Sequence, residues 1–158
     1  MAQSDDITLG GQDNISTVIW QIGCNDDGLM ALINADLLRN STPAGRETIA
    51  DAIELIARND DGLMALINVG VAQWLVQMAK SDDITPNGRG KIARAIKEIA
   101  RNDDARTALI TAGVVQLLVA MPQSADIPFY RREPIARAIQ EIARYDDGRT
   151  ALLNAGVA

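Results

Sequence analysis

Asn25-Asp26-Asp27-Gly28-Leu29-Met30-Ala31-Leu32-Ile33-Asn34 decides how this chain folds, because the same ten letters return at Asn59 to Asn68. Diverged copies begin at Asn102 and Tyr145, so the starts at 59, 102 and 145 lie 43 residues apart. A period of that length marks a helical solenoid, in which each unit can bury its apolar face only against its neighbours.

Within one unit, Asp103 and Asp104 offer side-chain oxygen and negative charge to the open amides of a helix start, and Arg106 to Thr111 continue with helical spacing. Gly113 stops that helix. A second short helix spans Val114 to Met121, and a polar, proline-containing link leads to a third over about Pro134 to Arg144. The third helices carry a buried-face stripe: Ile49, Ile53 and Ile56; Ile92, Ala95, Ile96 and Ile99; Ile135, Ile139 and Ile142.

Met1 to Thr8 matches Met78 to Thr85, and Ala151 to Ala158 matches Ala108 to Val115, so the array opens and closes in mid-unit. It reads as one array over 1–158. A partial unit at about 1–24 supplies a third helix, and a shortened unit at 25–58 lacks most of its second helix. Full units follow at 59–101 and 102–144, and a partial unit at 145–158 supplies a first helix. The expectation is either a longer array or ends covered by another copy, a homo-oligomer through open solenoid ends. The shortened unit has Asp36 where the others have Gly70, Gly113 and Gly156, so its first helix is expected to run to about Leu38. That defect is either loop drift or an apolar notch for a partner.

Composition narrows the function. With 47% hydrophobic but 3% aromatic residues the core is aliphatic. No stretch approaches the roughly 18 to 20 apolar residues of a membrane span, and Met1 to Asp6 lacks the parts of a signal peptide, so the expectation is no membrane partner and a cytoplasmic setting. A net charge of −6 argues against nucleic acid, which needs a basic face. The single Cys24 and the absence of histidine leave no disulfide, no zinc site and no activated nucleophile. The Asp pairs at Asp26, Asp60, Asp103 and Asp146 lack the alternating spacing and closing Glu of a calcium loop and read as helix starts. No cofactor, no metal and no catalysis are expected.

Three helices per unit, a period near 43, Asn-Asp helix starts and the Ala-Gly-Val break at Ala112 to Val114 together make the chain similar to armadillo-repeat proteins, over nearly its whole length. HEAT repeats are the nearest competitor. Gly148 to Leu152 is similar to an ankyrin segment, but the period excludes the 33-residue ankyrin unit. The resemblance implies an all-α fold, a right-handed α-α superhelix. It also implies a non-catalytic scaffold that binds an extended peptide or partner protein through the concave third-helix face. The alternatives are a self-assembling module stacking through uncapped terminal helices, and a regulatory or substrate-presenting subunit for an enzyme on another chain.

In peptide-binding armadillo proteins a Trp and an Asn four residues apart on the third helix line the groove. Here those positions hold Arg137 and Glu141, Arg94 and Glu98, Asp51 and Leu55, and Thr17 and Gln21, so the family's recognition of basic segments does not carry over. Adding the i+7 position gives the expected groove rows: Asp51, Leu55, Arg58; Arg94, Glu98, Arg101; Arg137, Glu141, Arg144. Five arginines against three acids suit a partner with carboxylates, an acidic peptide. The competing reading is that Arg94 and Arg137 pair with Glu98 and Glu141 in their own helices, while Arg58, Arg101 and Arg144 neutralise Asp pairs and carbonyl ends.

Two departures from the repeat are candidate interfaces. Trp20 stands where the other units have Glu54, Lys97 and Gln140, and Phe129-Tyr130-Arg131-Arg132 replaces Pro86-Asn87-Gly88-Arg89. The alternative for the second is a well-packed link before Pro134.

Overall fold

In a computed structural model, residues 42–123, 127–129 and 132–157 are described. Eight α-helices follow one another: α1 Pro43–Ile56, α2 Asp60–Asn68, α3 Val71–Ala79, α4 Pro86–Ile99, α5 Asp103–Thr111, α6 Val114–Ala120, α7 Glu133–Ala143 and α8 Asp146–Asn154. No strand occurs among the described residues. The expectations for the units before residue 42, including Cys24, the shortened second helix and the extension to Leu38, lie outside the described residues.

Local chemistry sets the helix bounds. Thr42 and Thr85 cap the long helices α1 and α4, their hydroxyls accepting from the amides of Gly45 (3.1 Å) and Gly88 (3.0 Å), with Pro43 and Pro86 preset at the first turn. The short first helices start differently from the sequence expectation. Asn59 accepts from Asp61 and Gly62, and Asn102 from Ala105 at 3.1 Å, so the capping oxygen belongs to the asparagine and not to Asp103 or Asp104. The aspartates follow in the first turn, where their charge faces the open amides. Gly70 and Gly113, at φ of 75° and 87°, make the break between first and second helices, a conformation that side chains disfavour. α6 stops at Ala120, one residue short of the expected Met121, because Met121 opens a 3-10 turn through Pro122. α7 runs Glu133–Ala143, one residue earlier at both ends than expected.

The long helices stack side by side, α1 on α4 and α4 on α7, while α2 meets α5, α5 meets α8 and α3 meets α6. Between them lies one aliphatic core. Ile53, Ile92, Ile96, Ile99, Ile135 and Ile142 from the long helices are fully buried with Leu66, Leu75, Leu109 and Leu118 from the short ones. Each such side chain contributes roughly 1.5–3 kcal/mol of burial. Of the predicted stripes, Ile56 and Ile139 are only partly buried and pack at the core's edge. Among the described residues no single helix is long and apolar enough to cross a membrane, and the apolar helices α2 and α3 are bent by 74° at the break between them.

Candidate functional site

The three stacked long helices carry the predicted rows. α1 supplies Asp51 and Leu55, α4 supplies Arg94 and Glu98, and α7 supplies Arg137 and Glu141. Arg58, Arg101 and Arg144 sit just beyond the respective helix ends. Leu55 is 45% exposed, while Glu98 and Glu141 are buried at 7% and 6%.

Within the chain the arginines take other partners than the competing intrahelical reading named. Arg94 reaches back to α1, with Nε 3.1 Å from Glu54 Oε2 and Nη2 3.4 Å from Asp51 Oδ1. Arg137 pairs with Glu133 at 2.6 Å, and Arg58 with Glu54 at 2.8 Å. Arg101 takes Glu98 at 3.0 Å and Arg144 takes Glu141 at 3.1 Å. Arg94 and Arg137 therefore do not bind Glu98 and Glu141, and Arg58, Arg101 and Arg144 do not serve the Asp pairs. The reason is directional. Helical side chains lean toward the N-terminus, so an acid placed before its basic partner is the better order. Arg58, Arg101, Arg137 and Arg144 each pair with an acid three or four residues earlier.

Lys97 also reaches Glu98, at 3.1 Å. Burial pushes the Glu98 carboxyl up, but the hydrogen bonds and charges of Lys97 and Arg101 outweigh it and hold its pKa below the usual value. Glu98 is thus an ionised anchor for two cations.

The two seams between long helices differ. At the α1–α4 seam, acid meets base: Asp51 receives Lys91 at 2.5 Å as well as Arg94, and Glu47 accepts from Asn87 at 3.0 Å and from the Thr85 hydroxyl. At the α4–α7 seam, among the described residues, no comparable ion pair links the rows. Instead an open hollow of about 370 Å³ lies there, with Arg94, Lys97, Pro134 and Arg137 in its wall and Glu54, Arg58, Glu98 and Glu133 around them.

Of the candidate interface residues, Phe129 is 86% exposed and Arg132 folds back, its Nε donating to the Ile127 carbonyl at 3.3 Å. The Ile127 side chain beneath is buried, so the link is anchored at one residue while its aromatic ring faces solvent. Trp20, Thr17, Gln21, Tyr130 and Arg131 lie outside the described residues.

Sequence reading missed Arg106. Its guanidinium is buried between α5 and α8, where Nε donates to both Asp147 oxygens (3.0 and 3.1 Å), Nη2 to Asp103 (2.9 Å) and Nη1 to the Ala100 carbonyl (3.4 Å). The Tyr145 ring lies 3.6 Å from its central carbon. Burial would lower the Arg106 pKa, but the bonds to Asp147 and Asp103 raise it. Asp147 is pulled below the usual carboxylate value by Arg106 and the Gly148 amide, against a desolvation that acts upward. The signal was present in the internal alignment, since Arg106 stands where the preceding unit has Leu63 and the following one Arg149. No group of histidine, cysteine, aspartate and glutamate suited to a metal occurs among the described residues.

Known structures share this architecture. An engineered protein superposes with a TM-score of 0.73 at 25% identity, over 96% of this chain and 65% of its own. A designed armadillo repeat protein in complex with a (KR)4 peptide gives 0.71 at 25% identity, over 96% and 66%. Computationally designed armadillo repeat proteins for modular peptide recognition give 0.70 at 26% identity, over 96% and 67%. The chain thus spans about two-thirds of the length of these proteins. No family model matches it, and no curated protein does. The chain has an armadillo-like helical repeat fold, an all-α solenoid.

Proposed function

We propose that this chain is a non-catalytic interaction scaffold that holds an extended, carboxylate-bearing segment of a peptide or partner protein along the face made by α1, α4 and α7. The observation that carries the reading is the recurrence of arginine on that face, at 58, 94, 101, 137 and 144, in a chain whose net charge is −6. Each of these guanidinium groups holds a carboxylate of its own chain, and its five-donor fork leaves N–H groups for a second carboxylate brought by a partner. Designed proteins of the same fold made for modular peptide recognition support the use of the fold as a peptide scaffold. The one seen with (KR)4 takes a basic peptide. At its Trp and Asn positions this chain offers Arg94, Arg137, Glu98 and Glu141, and the two glutamates are occupied by their own arginines and Lys97.

Catalysis is not part of the reading. The sequence has no histidine to activate a nucleophile, and Glu98 is held ionised, which suits an anchor and not a general acid. An intracellular setting accords with this role.

The test is selection from a display library of random extended peptides, with affinities then measured by fluorescence anisotropy against the wild type and a variant carrying Arg58→Ala, Arg101→Ala and Arg144→Ala. Enrichment of Asp and Glu, with affinity falling in the variant, is expected. Failure to enrich any peptide, or affinities indifferent to the three substitutions, would overturn the proposal.

A further inference from the structure

The internal repeat supplies its own control for the hollow between α4 and α7. At the α1–α4 seam, α1 offers Asp51 and Glu54 and α4 answers with Lys91 and Arg94, two acids against two bases, joined at 2.5, 3.1 and 3.4 Å. Moving 43 residues along, the same four places hold Arg94, Lys97, Pro134 and Arg137. Three of these are cations and none is an acid, and all four line the hollow. Where the first seam closes on its own carboxylates, the second is left open.

We infer that the α4–α7 hollow is a carboxylate-binding subsite, in which an Asp or Glu side chain of an extended peptide gives Arg94, Lys97 and Arg137 the negative charge that Asp51 and Glu54 give Lys91 and Arg94 one unit earlier. The inference rests on the scaffold reading and adds to it the position and chemistry of the anchoring contact.

The cations have donors to spare. A guanidinium carries five N–H groups in a fixed fork. The Arg137 side chain is 63% exposed and gives one of its nitrogens to Glu133. Arg94 spends Nε and one terminal nitrogen on α1. Lys97 is held by Glu98, whose buried carboxylate keeps the ammonium at the hollow's wall. A volume of about 370 Å³ accommodates one or two acidic side chains, and Pro134 gives their methylenes an apolar surface.

The experiment measures anisotropy with a fluorescent Glu-Ala repeat peptide of about eight residues, a span of roughly 26 Å when extended, and with its Gln-Ala and Lys-Ala counterparts. The full chain is compared with Arg137→Glu, Glu133→Gln and Lys80→Glu. Lys80 is exposed at the end of α3, outside the hollow, and controls for net charge. The wild type is expected to prefer Glu-Ala. Arg137→Glu should weaken it about tenfold while lowering the thermal midpoint by no more than a few degrees, because the new carboxylate loses the exposed pair with Glu133 but meets Arg94 and Lys97. Lys80→Glu should leave affinity within about twofold. Glu133→Gln, which releases Arg137 from its internal partner, should tighten binding, a gain that damage to the fold cannot produce. Equal binding of Gln-Ala, preference for Lys-Ala, or equal losses in Arg137→Glu and Lys80→Glu would overturn the subsite and leave the scaffold standing. Binding of none of the three peptides would overturn both.

Discussion

Replacing Asp147 by alanine should destabilise the chain more than replacing Arg106, its buried partner, by leucine. The Arg106 residue is 5% exposed and its Nε is shared between the two Asp147 oxygens. Asp147→Ala leaves that guanidinium in place, still held by Asp103 and the Ala100 carbonyl but with Nε facing no acceptor. A charged hydrogen bond lost at a buried donor costs about 2 kcal/mol. Arg106→Leu removes the donor itself, and the acids it abandons can return to water, since the side chains of Asp147 and Asp103 are 40% and 83% exposed. Leucine also fits the place, because Leu63 fills the equivalent position one unit earlier and is buried there. What remains is the ring contact with Tyr145 and part of the bonding, about 1 kcal/mol or less. Thermal midpoints measured by far-ultraviolet circular dichroism would read the difference. Asp147→Ala should lower thermal stability by roughly 4–8 °C, and Arg106→Leu by less than about half of that. If Arg106→Leu proves the more damaging, the tie between α5 and α8 is a net source of stability and the reasoning from asymmetric desolvation is wrong.

Other consequences follow from the same geometry. The Glu98 and Asp147 pKa values lie below their unfolded values of about 4.3 and 3.9, so the unfolded chain takes up protons first as pH falls. The stability they give is whole above about pH 5 and lost as pH drops below about 4 through their folded values. Urea midpoints should fall between pH 5 and 3, and a flat or rising profile would contradict this. The raised pKa of Arg106 acts at the other, strongly alkaline extreme, so its contribution is fully present at neutral and mildly alkaline pH and this group adds no slope between about pH 7 and 10. Gly148→Ala should destabilise by about 1–3 kcal/mol, since an added Cβ would lie 1.9 Å from the Ile142 carbonyl oxygen, and Gly62→Ala by less, at 2.7 Å from that of Ile56. Thermal melts showing the reverse order would refute the close-approach argument. Asn102→Ala should cost about 1 kcal/mol through loss of the cap on Ala105, while Asp104→Asn should cost a few tenths; equal losses would restore the aspartates as caps.

The sequence made the helix pattern legible because its punctuation is local. Asn102, Gly113 and Pro86 act on the few amides beside them, and each falls at a helix boundary in the structure. The isoleucine stripes were legible for the same reason, since a helical face depends only on spacing. What spacing could not give was the choice among competing partners. Arg94 has Glu98 four residues ahead in its own helix yet binds Glu54 and Asp51 across a seam, because the lean of helical side chains disfavours the first and unit stacking supplies the second. The same blindness hid Arg106, whose partner Asp147 is 41 residues away. The rows at 51, 94 and 137 could be written down from the repeat. Their matched and unmatched seams became visible only once α1, α4 and α7 were stacked.

The central claim is that a segment lies along the α1, α4 and α7 face, and amide chemical-shift mapping of the labelled chain during titration with the Glu-Ala peptide tests it most directly. The account predicts that shifted amides gather around Asp51, Arg94, Lys97, Pro134's neighbours and Arg137. Shifts gathered instead on α8 or around Phe129, with the long helices unchanged, would contradict it.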